Sequence, residues 1–258
     1  MSNNSELLTV AIEAALLAGA LLRQGFGTSF EISFKEGDHN LVTTYDRLAE
    51  KAISETISRR FPTHGFLGEE AGHNKSGTII WIVDPLDGTV NFAHNIPAFS
   101  VSIAAVIDNK VVVGVIYQPI TQELFWAEAG KGAYLNGKPL KVSSQKNLNK
   151  AYLATGFPYN VSENPLNCIE TFDKLTRKGI PIRRFGSAAI DLSYVAAGRF
   201  DGYWEVTLQP WDVAAGLLIV EEAGGRITRY DGSPCNPFEQ GTVLASNKHL
   251  HSQLLEAL

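Results

Sequence analysis

The chain has 258 residues, with 22 Lys and Arg against 27 Asp and Glu, a net charge of −5. Hydrophobic residues make up 45% and charged residues 19%, a composition that excludes disordered and fibrous classes. Mild acidity without a long Lys/Arg run argues against a nucleic-acid or membrane-surface partner.

Apolar residues at helical spacing (Leu8, Ile12, Ala15, Leu16, Leu22) predict a helix over 5–24, with Ser5 as its N-cap and Gly25 and Gly27 beyond it. A second helix is expected from Tyr45 to Phe61, stopped before Pro62. Thr78 to Val83 reads as a buried strand. Phe99 to Ile107, Val111 to Tyr117 and Glu123 to Ala127 read as an antiparallel meander. After the polar stretch Ser143-Ser144-Gln145-Lys146, strands and helices alternate. Strands are expected at Ala151–Thr155, Ile180–Arg184, Phe200–Val206 and Val243–Ala245. Helices are expected at Pro165–Lys178, Ser187–Ala197, Trp211–Ala223 and Lys248–Leu258. This predicts an α/β fold, with an α+β half over 1–143 and an α/β half over 144–258.

Cys168 and Cys235 are too few for a disulfide framework and form no CxxC pair, which fits a reducing, cytoplasmic setting. The first residues carry no basic segment, so a signal peptide is not expected. The run Ala14 to Leu22 is too short to span a bilayer and reads as a core helix.

The chemistry concentrates in Trp81-Ile-Val-Asp84-Pro-Leu-Asp87-Gly88-Thr89. An apolar strand leads into two carboxylates three residues apart, followed by a helix start near Thr89. Buried anions this close need a proton or a cation, and oxygen-only ligands favour a hard ion such as Mg²⁺. The competing reading is a helix cap plus a turn. Gly68-Glu69-Glu70 by itself reads as solvated surface, and so do Lys35 and Asp46. Asp212 by itself reads as an acid facing a helix dipole.

Together, Asp84-Pro-Leu-Asp87-Gly-Thr89, Trp211-Asp212-Val-Ala-Ala-Gly216, Gly68-Glu69-Glu70, Leu41-Val-Thr-Thr-Tyr45-Asp46 and Gly186-Ser187-Ala188-Ala189 resemble the inositol monophosphatase family, in order and over essentially the whole chain. Two residues separate the signature acids, where the haloacid-dehalogenase phosphatases have one, so no covalent phosphoenzyme is expected. The resemblance implies a layered αβαβα sandwich of the sugar-phosphatase type and two or three Mg²⁺ ions. One ion would sit on Glu69, Asp84 and the Leu86 carbonyl, and another on Asp84, Asp87 and Asp212. It implies that Thr89, with Glu69 or Asp46, orients and deprotonates the attacking water. Gly88 and Thr89 amides would hold phosphate, and Leu86, Asp87 and Asp212 border the same substrate site. Gly186, Ser187, Ala188 and Arg183 or Arg184 would line the sugar side. Glu205, seven residues before Asp212, would accept hydrogen bonds from substrate hydroxyls. As a surface acid it would merely balance Arg199 or Arg226.

The activity implied is hydrolysis of inositol monophosphate or a similar polyol phosphate by a lithium-sensitive cytoplasmic homodimer, with no membrane or nucleic-acid partner. Alternatives on the same scaffold are fructose-1,6-bisphosphate, 3′-phosphoadenosine 5′-phosphate or histidinol phosphate as substrate. A regulatory protein that binds the transcription machinery is a further alternative.

Overall fold

The computed structural model describes residues 4–35, 40–74 and 77–258. Helix α1 (Asn4–Gly25) turns Leu7, Val10, Ala11, Ala14, Ala18 and Leu22 to one side. There they meet Ala49, Ile53 and Ile57 of α2 (Thr44–Arg60). With 22 residues α1 is long and apolar enough to cross a bilayer, unlike the shorter run expected. Its buried stripe instead packs on α2 and on the first large sheet. Ser5 lies within the first turn and is not its cap; its hydroxyl donates to Glu128 Oε2 at 3.2 Å.

Two short strands, β1 (Ile32–Phe34) and β2 (Leu41–Thr43), pair antiparallel and lead into α2. Next come β3 (Gly65–Gly68), β4 (Gly72–Asn74), β5 (Ile79–Asp87), α3 (Thr89–Ala93), β6 (Ser100–Ile107), β7 (Lys110–Gln118), β8 (Glu123–Glu128), β9 (Ala133–Leu135) and β10 (Lys138–Pro139). They form an eight-stranded sheet in the order β10-β9-β8-β7-β6-β5-β3-β4. The expected meander is β6-β7-β8, antiparallel throughout. Strand β5 does not stop at Val83 but continues through Asp84 to Asp87.

After the polar stretch the chain forms β11 (Leu153–Thr155), α4 (Cys168–Arg177), β12 (Ile182–Arg183), α5 (Ala188–Ala196), β13 (Gly202–Leu208), α6 (Pro210–Glu222), β14 (Gly225–Thr228), β15 (Gly241–Asn247) and α7 (His251–Leu255). Their sheet order is β12-β11-β13-β15-β14. It is mixed: β11 runs parallel to both neighbours, and β15 antiparallel to both of its own. The helix expected from Pro165 starts only at Cys168, because Leu166 and Asn167 sit at φ 52° and 54°.

The pleat sorts side chains into layers, since alternate strand residues face opposite ways. Trp81, Val83, Ile103, Ala105 and Val115 face α1 and α2. Ile82, Ala104, Ile116 and Phe125 face the other way, onto α5 and α6. Tyr203, Val243 and Ala245 of the second sheet close the same middle layer. Leu153, Trp204 and Leu244 point outward to α4 and α7. The result is the αβαβα sandwich expected.

The middle layer holds α6, the carrier of Asp212, directly against β7. A Cβ on Gly114 would lie 2.6 Å from the Ala215 carbonyl oxygen, backbone against backbone. Gly114→Ala is expected to push α6 off the sheet and to cost roughly 1–3 kcal/mol, read as a lowered melting temperature in thermal denaturation.

Candidate active site

The site begins with a flaw in pairing. Between Asp84, opposite Ser102, and Asp87, opposite Ser100, β5 takes three steps while β6 takes two. The extra residue is a bulge, which puts two acids three positions apart on one face of the sheet. That face is the inner one, continuing from Ile82. The two-residue spacing between the acids thus has a structural cause. Asp84 is 2% exposed and accepts from the Leu86 amide at 2.9 Å. The Leu86 side chain turns to the opposite core.

Gly88 follows with φ 96°, and a Cβ there would lie 2.9 Å from the Ala98 carbonyl oxygen, so only glycine fits. The five-residue α3 starts at Thr89. The Thr89 hydroxyl sits 2.9 Å from both Asp46 Oδ1 and the Leu86 carbonyl.

Asp46 is not on the surface. It is the third residue of α2, buried, and its Oδ2 accepts from the Thr43 amide at 2.8 Å and the Thr43 hydroxyl at 2.6 Å, as a capping box. Asp212 does the same on α6, accepting from the Gln209 amide at 2.7 Å. Asp87 Oδ2 accepts from the Ser187 hydroxyl at 2.6 Å and the Ala189 amide at 2.7 Å. Ser187 in turn caps α5, directly after Gly186 at φ 75°, with Ala188 as its first residue. Helix starts from three parts of the sequence therefore deliver carboxylates or their partners to the end of β5.

Glu69 and Glu70 are only half-buried, and both engage Lys35, whose Nζ lies 2.7 Å from Glu69 Oε1. Burial by itself lowers the Lys35 ammonium, but the charges and hydrogen bonds of Glu69 and Glu70 outweigh it and raise it. Glu50, buried behind them, accepts from the Glu70 amide at 2.9 Å.

The acids perturb one another. Burial, then the charges of Glu69, Asp87 and Asp212, hold Asp84 well above the usual carboxylate range. Burial and then the charges of Asp87 and Glu69 do the same to Asp212. Asp87 and Asp46 are each pushed up to about 6 by burial, against the hydrogen bonds they accept. Among the described residues no three Asp, Glu, His or Cys groups already form a closed metal cage. The carboxylates share one field but are held by amides and hydroxyls. The donor set is all oxygen and anionic, buried at Asp84 and half-buried at Glu69, Asp87 and Asp212, which fits a hard polyvalent cation.

Glu205 lies within β13 and does not end it. Its Oε2 accepts from the Tyr203 hydroxyl at 2.5 Å. Burial pushes it up to about 7, partly offset by the Tyr203 bond; Asp87 raises it and Arg184 lowers it. Arg199 pairs with Glu123 at 2.9 Å, so it does not balance Glu205. Of the two arginines, Arg183 lies over the Tyr152 ring, 5.0 Å from its centre. Arg184 lies over Phe157 and is the one whose charge reaches Glu205.

Tyr159 was not legible beforehand. Its ring is exposed in the loop after β11, while loss of water around its phenol and then the charges of Glu69, Asp212, Asp87 and Asp84 raise it. No periodicity marks a loop residue for such a place. Asp191 of α5 also escaped notice. It is 1% exposed, its Oδ1 has no partner among the described residues, and burial and then Glu205 and Asp87 raise it well above the usual range. The groove between α1 and α2, lined by Glu6, Glu13, Arg59 and Arg60, shares no residue with the acid cluster.

A profile of the inositol monophosphatase family matches residues 3–258. The chain belongs to this family. Its members are metal-dependent phosphatases. The chain is 45% identical to an inositol-1-monophosphatase of Caulobacter vibrioides, covering 96% of this chain and 98% of the relative. It is 40% identical to the Nus factor SuhB of Pseudomonas aeruginosa, covering 98% and 95%. The crystal structure of the extragenic suppressor protein suhB from Bartonella henselae superposes with a TM-score of 0.92 at 41% identity, covering 98% of both chains. The fold and the phosphatase class expected from the motifs hold for this family member.

The raised carboxylates set a pH dependence. With Asp46 and Asp87 near 6 and Glu205 near 7, the folded chain without cations binds more protons than the unfolded chain at mildly acidic pH. Stability is therefore lost as pH rises through these values. His251, pushed down to about 4 by burial, works in the opposite sense, but only below the usual histidine range. In chelator, the melting temperature is expected to rise when pH is lowered from about 8 to about 6.5, and Asp87→Asn should flatten that rise.

Proposed function

We propose that this family member is a Mg²⁺-dependent phosphomonoesterase that hydrolyses inositol monophosphate or a similar polyol phosphate. The observation that carries the reading is a group of mutually repelling acids, buried Asp84 with half-buried Asp87, Asp212 and Glu69, whose shared negative charge a hard cation would neutralise. In this reading Glu69, Asp84, the Leu86 carbonyl, Asp87 and Asp212 hold two or three Mg²⁺ ions. When bound, the ions supply acidification of water and neutralisation of phosphoryl charge.

The chain's own groups do the rest. Thr89 has one hydroxyl proton and two acceptors at 2.9 Å. By donating to Asp46 it frees the Leu86 carbonyl and turns its own lone pairs toward an attacking water. Glu69 stands as the base for that water. The amides of Gly88 and Thr89 cradle phosphate oxygens at the start of α3. Ser187, with Gly186 and Ala188, holds Asp87 and borders the leaving group. Glu205 accepts from its hydroxyls, with Arg184 nearby. Transfer goes in line to water and needs no phosphoenzyme. We place the enzyme in the cytoplasm as a homodimer, which light scattering can check.

The 40% identity to a Nus factor over nearly the whole chain favours a second role at the transcription machinery. Co-purification with RNA polymerase would support it, and a site that binds polymerase after loss of Asp84 would separate the two roles.

Phosphate release from a panel of inositol, sugar and nucleotide phosphates, with Mg²⁺ and with chelator, tests the main reading. Activity is expected only with the ion and highest on inositol phosphate, with Li⁺ inhibitory. Asp84→Asn and Asp212→Asn should each lose about 100-fold or more. Full turnover in chelator would overturn the assignment. Glu205→Ala should lower kcat/KM on inositol phosphate by roughly 1–3 kcal/mol and leave an aryl phosphate nearly unchanged. Because Glu205 sits near 7, preference for the polyol over the aryl substrate should grow as pH rises through that value.

A further inference from the structure

Strand β13 carries a bulge of its own between Glu205 and Leu208, directly before the Gln209 cap of α6. Glu205 pairs with Val243 and Leu208 with Gly241, so β13 takes three steps where β15 takes two. The consequence is visible in the layers. Tyr203 and Leu208 both belong to the middle core although they are five positions apart, an odd number that a regular strand would send to opposite faces. The bulge returns the chain to the inner face before the Gln209 cap, so that Glu205 and Asp212 are presented to the same layer.

The residue that makes this turn is Thr207, at φ 56°. A β-branched residue in the left-handed region is a genuine outlier and persists only where its surroundings over-determine it. Its hydroxyl does not explain its presence: Oγ1 is buried and has no hydrogen-bond partner among the described residues. Its backbone carbonyl is held by Gln240 Nε2 at 3.2 Å. What remains is stiffness, because two heavy atoms on Cβ restrict both the side chain and the backbone.

We infer that Thr207 is a positioning residue, whose stiff left-handed bulge fixes the aim of Glu205 relative to Asp212 and thereby the fit of polyol leaving groups. The two acids are not equally dependent on it. Asp212 is pinned by its own capping box on α6. Glu205, two residues from Thr207, has among the described residues only the Tyr203 hydroxyl as a hydrogen-bonded anchor for its carboxylate. A looser bulge moves Glu205 and spares Asp212. The inference rests on Glu205 being the acceptor for substrate hydroxyls.

The test compares Thr207→Gly, Thr207→Asn and Glu205→Ala with the wild type on inositol phosphate and on an aryl phosphate, together with thermal melts. Gly relieves the strain but frees the backbone. Thr207→Gly is expected to raise the melting temperature by about 2–4 °C and to raise KM for inositol phosphate about 3- to 10-fold, with kcat and the aryl substrate unchanged. Asn tolerates the left-handed region and keeps a Cβ, so Thr207→Asn should recover most of the KM while keeping the higher melting temperature. An unchanged inositol phosphate KM in Thr207→Gly overturns the proposal, as does an equal loss on both substrates or a melting temperature that does not rise. If Glu205→Ala also leaves that KM unchanged, the fault lies in the role given to Glu205. If Glu205→Ala raises it and Thr207→Gly does not, only the role of Thr207 falls.

Discussion

Everything at the site answers to one constraint, the burial of carboxylates close enough to repel one another. Asp84 and Asp212 are held well above the usual range by burial and by their neighbours' charge. A protein that keeps such a group accepts a cost in stability, which a bound cation, a proton or a hydrogen-bond donor must offset. The fold meets that need without a ready-made cage. Amides and hydroxyls from Thr43, Ser187, Ala189 and Gln209 hold the acids, and Lys35 supplies the one cation seen against Glu69 and Glu70 among the described residues.

The sandwich exists to bring these donors together. The capping acids or cap residues of α2, α5 and α6 all sit in a first turn, where unsatisfied amides and the positive end of the helix favour negative charge. The sheet supplies the fourth direction. Its bulge at Asp84–Asp87 bends β5 so that both acids face the middle layer, while α6, seated on Gly114, carries Asp212 to the same end. Packing of the core and convergence of the site are thus one arrangement, and a displaced α6 would disturb both.

In the proposed site, Glu205 is placed differently from the acids of β5 and α6. Glu205 stands on the second sheet, tied to Tyr203 and influenced by Arg184, and is reached through a bulge of its own at Thr207. The site is therefore assembled from two sheets. The first supplies Asp84 and Asp87, the second supplies Glu205, and helix starts complete it. That division would let the second-sheet side change while the acids of β5 stay in place.

Much of this was written in local patterns. The meander, the helix start at Thr89 and the acid pair at 84 and 87 follow from short-range spacing, because hydrophobic periodicity and helix caps act over a few residues, whereas the αβαβα layers and the roles of the acids at 69 and 212 came from the family resemblance that the ordered motifs carry. The surface readings of Asp46 and Glu205 failed for the opposite reason. Nothing near Asp46 in sequence announces that Thr89, 43 positions away, will close over it. Nothing near Glu205 announces that Arg199 will choose Glu123. Tyr159 and Asp191 were silent as well, since their surroundings are made by segments far along the chain. Sequence by itself determined which residues carry charge and on what kind of element. Only the tertiary structure decided which of them lose their water and face one another, because burial and repulsion depend on distances that no local pattern contains.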